Sequence, residues 1–239
     1  FGLIILSMVI SKFSFNTNTG NFSFHEEVYP VNIFYNLGFA INKYYKSKNY
    51  PKLSEDFKFH TMKSDNISLN SREIYVLVVG EASRADNWQM YGYNRNTNPK
   101  LSQHKGIIKF NDVLTQSITT HKSVPLILTS ASAEDYSVIY SRKSIVSAFK
   151  EAGFNTAFYS NQIPDGSFLE FYANEADSHE NIRHSEVGGY ITINNYDEFL
   201  LPLLQNFINT SPGNLFIVLH TYGSHFNYKE RYPSNFSMF

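Results

Sequence analysis

Short apolar runs recur along the second two thirds of the chain and alternate with segments of helical periodicity. EIYVLVVG at 73–80, NTAFYSNQ at 155–162 and NLFIVLHTYGSH at 214–225 each predict a strand. The first run is nearly continuous in apolar residues, as expected of a strand that is buried on both faces. A shorter run, IIKFNDVL at 107–114, predicts a further short strand.

Two segments between these runs have the period of an α-helix. SRKSIVSAFKEAGF at 141–154 predicts a helix, and Gly153 fits the position that follows a helix end. YDEFLLPLLQNFINT at 196–210 predicts another, with a bend near Pro202 because proline cannot donate a backbone hydrogen bond. Strands that alternate with helices predict an α/β domain with a mainly parallel sheet.

The first part of the chain has a different pattern. The opening residues FGLIILSMVI are apolar for only ten positions, whereas a membrane span needs about 20. We interpret residues 1–12 as the end of a transmembrane helix, although a short core helix or strand would have the same pattern. Residues 13–71 predict a linker with an amphipathic helix near 31–46, which could lie on a membrane surface or pack on the domain. The α/β domain is then expected over 72–239.

Composition narrows the possible classes of protein. The chain of 239 residues suits one large domain with a small appendage. Its formal net charge is −1 and it has no run of basic residues, which argues against a nucleic-acid surface. It has no cysteine, so disulfide frameworks and cysteine-based zinc sites are both excluded.

Polar side chains follow three of the predicted strands: Glu81, Asn161, and the pair His220 and His225. Because functional groups of parallel sheets gather where the strands end, we expect these side chains to converge on one edge. The Glu81 carboxylate suits a metal ligand, a general base or the acid at a helix start. By position alone, capping or an ion pair with Arg84 is the more common outcome. Histidines at strand ends can bind metal or phosphate, or merely contact a backbone carbonyl.

A run of hydroxyl and other polar residues, TQSITTHKS at 115–123, precedes Pro125. Proline is accepted near the first turn of a helix. The hydroxyl groups before it would then lie at a helix N-terminus, which favours anions such as phosphate. A threonine or serine nucleophile needs a base or a metal for activation. An ordinary Ser/Thr-rich cap would have the same sequence.

Three stretches, taken together and in this order, resemble a known family. VVGEASRADNWQMYGYNRNTNP at 78–99 fits GE(T/S)xRAD…GYxRxTxP after a strand, THKSVP at 120–125 fits TxxSVP, and HTYGSHFNYKERYP at 220–233 fits HxxG(S/N)H…RYP. These motifs are similar to those of phosphoethanolamine transferases that modify lipid A and related envelope glycolipids. That family belongs to the alkaline phosphatase/sulfatase superfamily, and the resemblance covers residues 72–233.

The resemblance implies a fold and a set of site residues. The expected fold is an alkaline phosphatase-like sandwich, with a mainly parallel central sheet flanked by helices. Thr120 would be the nucleophile and a metal ligand, and Glu81 would be a zinc ligand. His225 would bind the phosphoryl group or hold a second zinc. Asn161 and Gln162 would contact the phosphoethanolamine group.

The resemblance also implies the reaction. The expected cofactor is one zinc ion or two, the donor is phosphatidylethanolamine, and the acceptor is lipid A or another envelope glycolipid. Transfer would pass through a phosphothreonine and follow ping-pong kinetics. The protein would lie in the bacterial inner membrane, with its catalytic domain in the periplasm.

The sequence departs from the family pattern in several places. The family completes its zinc site with an Asp-His pair in a context like SDHGE, which does not occur here. We expect that pair beyond residue 239, so that the C-terminal part of the domain is missing and this chain alone is inactive with weak affinity for zinc. Gly166 stands near the position of a family lysine. Gln116 and Leu126 stand where several members carry cysteine.

Three alternatives remain open at this point. A sulfatase-family hydrolase would carry C/S-x-P-x-R, but residue 127 is Ile127 rather than arginine. A phosphoglycerol transferase would share the threonine nucleophile, although the GExxRAD and RYP segments favour phosphoethanolamine. A catalytically dead, membrane-tethered binding domain would result if the Asp-His pair does not exist.

Overall fold

The computed structural model describes residues 28–63, 72–164, 168–183 and 195–237. The chain divides into two compact units, residues 1–49 and 50–239. In the first unit, helix α1 spans Val31–Lys48 and buries none of its residues, in agreement with the helix predicted at 31–46. Within the described residues no helix is long and apolar enough to cross a membrane. The membrane segment expected at 1–12 lies outside them.

Within the described residues, four parallel strands form the sheet of the second unit, in the order β1-β4-β2-β3. Three of them confirm the strands predicted from the apolar runs, and the short β3 was not predicted. Their bounds are β1 Ile74–Val79, β2 Asn155–Ser160, β3 Ser178–Asn181 and β4 Leu215–His220.

Helices of the second unit connect the strands and cover the sheet. They are α2 Tyr50–Leu53, α3 Pro99–Gln103, α4 Thr120–Leu128, α5 Ile145–Glu151, α6 Phe168–Ala173 and α7 Leu200–Thr210. The helices α5 and α7 confirm the two that helical periodicity predicted. Gly153 adopts a φ of +84° shortly after α5, as expected of a glycine that ends a helix.

The core has a layer on each face of the sheet. Strand β4 is buried along its whole length, and its successive side chains point to opposite faces. Ile217 belongs to the cluster that includes Phe207 of α7. Phe216 belongs to the opposite cluster and stacks on Phe149 of α5, with 4.0 Å between ring centroids. Helices on both faces of a parallel sheet confirm the expected sandwich.

Two sequence-based expectations about strands are wrong. Strand β1 was expected to be buried on both faces, but among its six residues only Val79 is buried and Val78 is 58% exposed. The strand lies at an edge of the described sheet, and an apolar composition does not specify how many neighbours a strand has. The run at 107–114 forms no strand, and Ile108 within it is 81% exposed.

Pro202 lies in the first turn of a helix rather than at a bend within one. The predicted helix at 196–210 is divided into a 3₁₀ turn, Asp197–Phe199, and the α-helix α7. Pro202 is the third residue of α7, where a backbone N–H would have no acceptor within the helix. Its missing donor therefore costs the helix nothing at this position.

The second compact unit begins upstream of residue 72. Tyr50 is 3% exposed, and its hydroxyl donates to a carboxylate oxygen of Glu175 over 2.6 Å. The same carboxylate accepts from the Ser144 backbone N–H at 2.9 Å and from the Ser147 hydroxyl at 2.8 Å. The end of the expected linker therefore packs on the domain.

Candidate active site

Three strands end level with one another at one edge of the sheet. The register pairs Val79 of β1 with His220 of β4, and His220 with Ser160 of β2. The residues that follow these strands, Glu81 and Asn161 among them, therefore leave the sheet at the same edge. The convergence expected from the sequence is confirmed.

Helix α4 brings a threonine to this edge. It begins at Thr120, five residues before Pro125 and earlier than the sequence suggested. Proline at position 125 leaves the His121 carbonyl without its usual helical donor, and the Tyr136 hydroxyl donates to that carbonyl instead, at 3.1 Å. This contact allows the helix to continue through the proline. Thr120 is consequently the first residue of α4, where the helix dipole favours negative charge.

Thr120 and Glu81 are in direct contact. The Thr120 hydroxyl donates to a carboxylate oxygen of Glu81 over 2.8 Å, and both side chains are partly buried. Arg84 instead pairs with Asp86 at 2.7 Å, and both of these side chains are largely exposed. The Glu81 carboxylate is therefore placed to orient the threonine hydroxyl, to accept its proton or to share a metal ion with it.

The backbone around Glu81 is tightly turned. The next residue, Ala82, has a φ of +50°, which is uncommon for a residue with a Cβ and costs about 1–2 kcal/mol. The Ser224 backbone N–H donates to the Glu81 carbonyl over 2.9 Å. A Cβ atom on Gly223 would lie 2.7 Å from the same carbonyl oxygen. Glu81 is thus held by a close backbone contact with the turn that follows β4.

His225 lies in a cluster of aromatic and basic side chains at the end of that turn. Its ring stacks on Tyr222 with 4.7 Å between centroids, and its Nδ1 is 3.3 Å from the Tyr222 hydroxyl. The guanidinium carbons of Arg183 and Arg231 lie 3.8 and 4.1 Å from the centre of the Tyr222 ring. Both guanidinium groups pack on the aromatic ring beside His225. Arg231 also pairs with Glu230 at 3.1 Å.

A cavity of about 260 Å³ adjoins Thr120 and His225. Its polar lining includes Ser160, Gln162, Glu170, Asn181 and His220. Apolar side chains of β2 and α6 complete its wall. A cavity of this size fits a small headgroup rather than a whole lipid.

Asn161 and Gln162 have different surroundings. Asn161 is 1% exposed, and its amide donates to the Asn195 carbonyl and to Asp197, both over 2.9 Å. Gln162 donates to the Thr221 carbonyl at 2.9 Å and its side chain lines the cavity. The described contacts of Asn161 are with the protein, and a role in substrate binding for either residue stays a prediction.

Comparison with known proteins places this geometry in a family. A model of the family described as Sulfatase matches residues 73–239. The chain belongs to the sulfatase family. The matched range contains every residue of the candidate site, from Glu81 to His225.

Curated relatives within this family include two proteins of Escherichia coli (strain K12). The chain is 32% identical over 168 residues to one named Kdo(2)-lipid A phosphoethanolamine 7''-transferase, covering 68% of this chain and 29% of the relative. It is 31% identical over 172 residues to phosphoethanolamine transferase EptA, and this match covers 70% of this chain and 30% of EptA. The chain therefore spans about three tenths of the length of these relatives.

Solved structures of related proteins have the same fold. The C-terminal periplasmic domain of E. coli EptC, in complex with Zn, matches with a TM-score of 0.64 and 26% identity over 70% of this chain and 48% of that one. The integral membrane protein lipooligosaccharide phosphoethanolamine transferase A of Neisseria meningitidis matches with a TM-score of 0.66 over 97% of this chain and 42% of its own length. Its identity is 23%, so this second likeness concerns the fold alone.

The described residues of this sulfatase-family chain contain no group of three or more His, Cys, Asp or Glu side chains that could hold a metal ion. The Thr120 hydroxyl and the Glu81 carboxylate nevertheless place two oxygen atoms 2.8 Å apart. Oxygen donors of this kind suit zinc, which takes about four ligands. The pair fits two positions of such a site, and zinc binding by Glu81 and Thr120 stays a prediction.

Sequence reasoning missed three residues of the site: Glu170, Asp197 and Gly223. Glu170 lies on a helix that was not predicted, and nothing in the sequence marks it. Asp197 stands at the start of a predicted helix, where an acid is common, so its type gave no special signal. Gly223 could have been singled out, because it stands in a turn and glycine is the residue that permits tight turns and close backbone approaches.

His220 is buried at the end of β4 and has a perturbed pKa. It is 0% exposed, and its Nε2 has no hydrogen-bond partner among the described residues. Burial lowers the pKa of His220 to about 4, while the nearby Asp197 carboxylate opposes the shift. The imidazole is therefore neutral at pH 7 and lies in the wall of the cavity.

This pKa predicts a dependence of stability on pH. The unfolded chain binds a proton at His220 near pH 6.5, whereas the folded chain does so only near pH 4. The free energy of unfolding should therefore fall by up to about 3 kcal/mol as the pH drops through this window. Urea unfolding at pH 7, 5.5 and 4.5 measures the slope. His220→Gln should reduce the pH dependence of the free energy of unfolding, whereas substitution of the exposed His104 should leave it unchanged. A pH dependence in His220→Gln equal to that of the wild type would contradict the assignment.

Proposed function

We propose that the protein transfers phosphoethanolamine from phosphatidylethanolamine to lipid A or another envelope glycan, by a metal-dependent reaction through a phosphothreonine at Thr120. The observation that supports this most is the 2.8 Å contact between the Thr120 hydroxyl and the Glu81 carboxylate at the edge of the sheet. The names of the relatives in the sulfatase family support the same reaction.

The chemistry requires a good oxygen nucleophile. Glu81 accepts the Thr120 hydrogen bond and keeps the hydroxyl oriented at the start of α4. When bound, zinc would lower the pKa of the hydroxyl and stabilise negative charge on the phosphoryl oxygens. Glu81 and Thr120 would hold it, with His225 at the phosphoryl group or at a second zinc.

Two displacements at phosphorus complete the transfer. In the first, the Thr120 oxygen forms a bond to phosphorus, the bond from phosphorus to the glyceryl oxygen breaks, and diacylglycerol leaves with the proton. In the second, an oxygen of the acceptor attacks the same phosphorus, and the Thr120 oxygen recovers a proton as it leaves. The positive end of the α4 dipole favours the anionic phosphoryl group at both stages.

The charge of the cavity favours phosphoethanolamine over phosphoglycerol. Among the described residues that line it, Glu170 carries a negative charge and none is lysine or arginine. An ammonium group gains from a nearby carboxylate, whereas a neutral glycerol gains much less. Gln162 supplies a further polar contact at the cavity wall. We therefore place the ethanolamine part of the donor in this cavity.

The proposed setting is the bacterial inner membrane. The sulfatase-family domain would lie in the periplasm. The exposed apolar side chains of α1, such as Phe34 at 69% and Leu37 at 57%, are compatible with a helix near a lipid surface.

Mass spectrometry of envelope lipids tests the proposed reaction. Cells that express the complete reading frame should contain lipid A or glycolipid with one added phosphoethanolamine, and cells without the gene should lack it. Addition of phosphoglycerol instead would replace the proposal with its nearest rival. Identical lipid profiles in the two strains would support a catalytically dead binding domain.

A further inference from the structure

We infer that Asp197 is a positioning residue: it fixes the turn at 221–225, and through that turn it sets the relative placement of His225 and Glu81. The inference rests on the proposed function, because it assigns a role in that reaction. Asp197 is the first residue of the 3₁₀ turn before α7. It therefore belongs to a different element from the residues that it would position.

Both carboxylate oxygens of Asp197 accept hydrogen bonds from the site. Oδ1 accepts from the Tyr222 backbone N–H at 2.7 Å and from the Asn161 amide at 2.9 Å. Oδ2 accepts from the Gly223 backbone N–H at 2.9 Å. Hydrogen bonds to a carboxylate are about twice as strong as those between neutral groups. Asp197 thus joins the end of β2 to the turn after β4.

The opposite side of the same turn contacts β1 and Glu81. The Thr221 N–H donates to the Val79 carbonyl over 3.0 Å, and the Ser224 N–H donates to the Glu81 carbonyl over 2.9 Å. The turn is therefore fixed from two sides, by Asp197 on one and by the end of β1 on the other. His225 follows it directly, so a shift of the turn moves His225 and releases the backbone of Glu81.

An amide in place of this carboxylate would not preserve the contacts. Three N–H groups point to the two oxygens of Asp197, and asparagine offers one oxygen and an NH₂ group that can only donate. At least one donor of the turn would then face another donor. Asp197→Asn changes no volume, so its effect reports these hydrogen bonds and the charge.

Asp177 provides a matched control for this change. It also accepts from a backbone N–H and a side chain, those of Thr156, at 2.9 and 2.8 Å, and from Lys150 at 2.6 Å. Thr156 lies near the start of β2, at the end of the strand away from the site. Asp177→Asn therefore removes a comparable network without touching the turn.

The test compares the wild type, Asp197→Asn and Asp177→Asn in the complete protein from the full reading frame. It measures kcat and KM for transfer from phosphatidylethanolamine, the zinc dissociation constant by competition with a chelator, and the midpoint of thermal unfolding. We expect Asp197→Asn to lower kcat and weaken zinc binding, each by about 10- to 100-fold, with KM changed by less than about threefold. Asp177→Asn should lower the midpoint while kcat and zinc affinity stay at wild-type values.

The outcomes separate this inference from the proposed function. If Asp197→Asn has wild-type kcat and wild-type zinc affinity, or if Asp177→Asn loses both to the same extent, the positioning role is overturned. If the wild type transfers nothing, the proposed function fails. In that case the zinc dissociation constants alone test the positioning role of Asp197. Weaker zinc binding in Asp197→Asn than in Asp177→Asn supports that role, and equal binding refutes it.

Discussion

Thr120→Ala in the full-length protein is expected to abolish phosphoethanolamine transfer, with a loss in kcat of at least about 10³-fold. The substitution removes the oxygen that would form the bond to phosphorus, together with the hydroxyl that donates to the Glu81 carboxylate. Thr120 is half-buried and donates one described hydrogen bond. The midpoint of thermal unfolding should therefore change little. Transfer is measured by mass spectrometry of the acceptor lipid, and the phosphothreonine by peptide mapping after acid quenching.

The adjacent threonine offers a matched control. Thr119 is the residue before α4, and its side chain makes no capping hydrogen bond, so Thr119→Ala should retain near-normal activity. Thr120→Ser keeps a hydroxyl and should retain measurable transfer together with a phosphoserine. Normal lipid modification by Thr120→Ala would remove Thr120 from the reaction.

Gly223→Ala is expected to lower kcat by about 10- to 100-fold while the domain remains folded. The new methyl group would lie 2.7 Å from the Glu81 carbonyl oxygen and 3.1 Å from its backbone nitrogen. Neither backbone atom can move without moving the Glu81 side chain. The turn would separate from β1, and the Glu81 carboxylate would leave the Thr120 hydroxyl. Kinetics of lipid transfer measure the loss in kcat, and thermal unfolding shows whether the domain remains folded.

A second glycine distinguishes the collision from backbone strain. Gly153 has a φ of +84°, and a Cβ there would meet nothing within 4 Å. Gly153→Ala should therefore lower the free energy of unfolding by about 1 kcal/mol through backbone strain and leave kcat unchanged. Gly223→Ala should incur a similar strain, because Gly223 has a φ of +49°, in addition to the collision with Glu81. Equal activity in the two variants would show that the close approach to Glu81 has no catalytic importance.

The sequence predicted those parts of the fold that depend on local patterns. Strand β4 is a continuous apolar run and is buried along its length; helix α5 follows its helical period and ends before Gly153. The convergence of Glu81 and Asn161 followed from a general property of parallel sheets, with no knowledge of contacts. The motifs favoured Thr120 among several hydroxyl groups, a choice that periodicity alone could not make. Its role as the nucleophile stays a prediction.

Features that depend on neighbours distant in sequence could not be predicted. The sequence of β1 resembles that of a central strand, and only the strand order shows that it lies at an edge of the described sheet. Proline is favoured in the first turn of a helix, so the sequence predicts that α4 starts near Pro125, but the helix begins at Thr120. The Tyr136 hydroxyl, eleven residues away, replaces the missing helical donor. The role inferred for Asp197 likewise depends on its hydrogen bonds to the turn at 221–225, which is distant in sequence.

The exposed flank of β1 has a practical consequence for work with the isolated polypeptide. Tyr75 and Val78 are 47% and 58% exposed, and one side of this strand has no β partner among the described residues. Such a strand is a template for the addition of strands from other molecules. Recombinant material of this length would tend to self-associate into inclusion bodies. Solubility screens should therefore mask that flank with a charged substitution such as Val78→Lys before any assay is attempted.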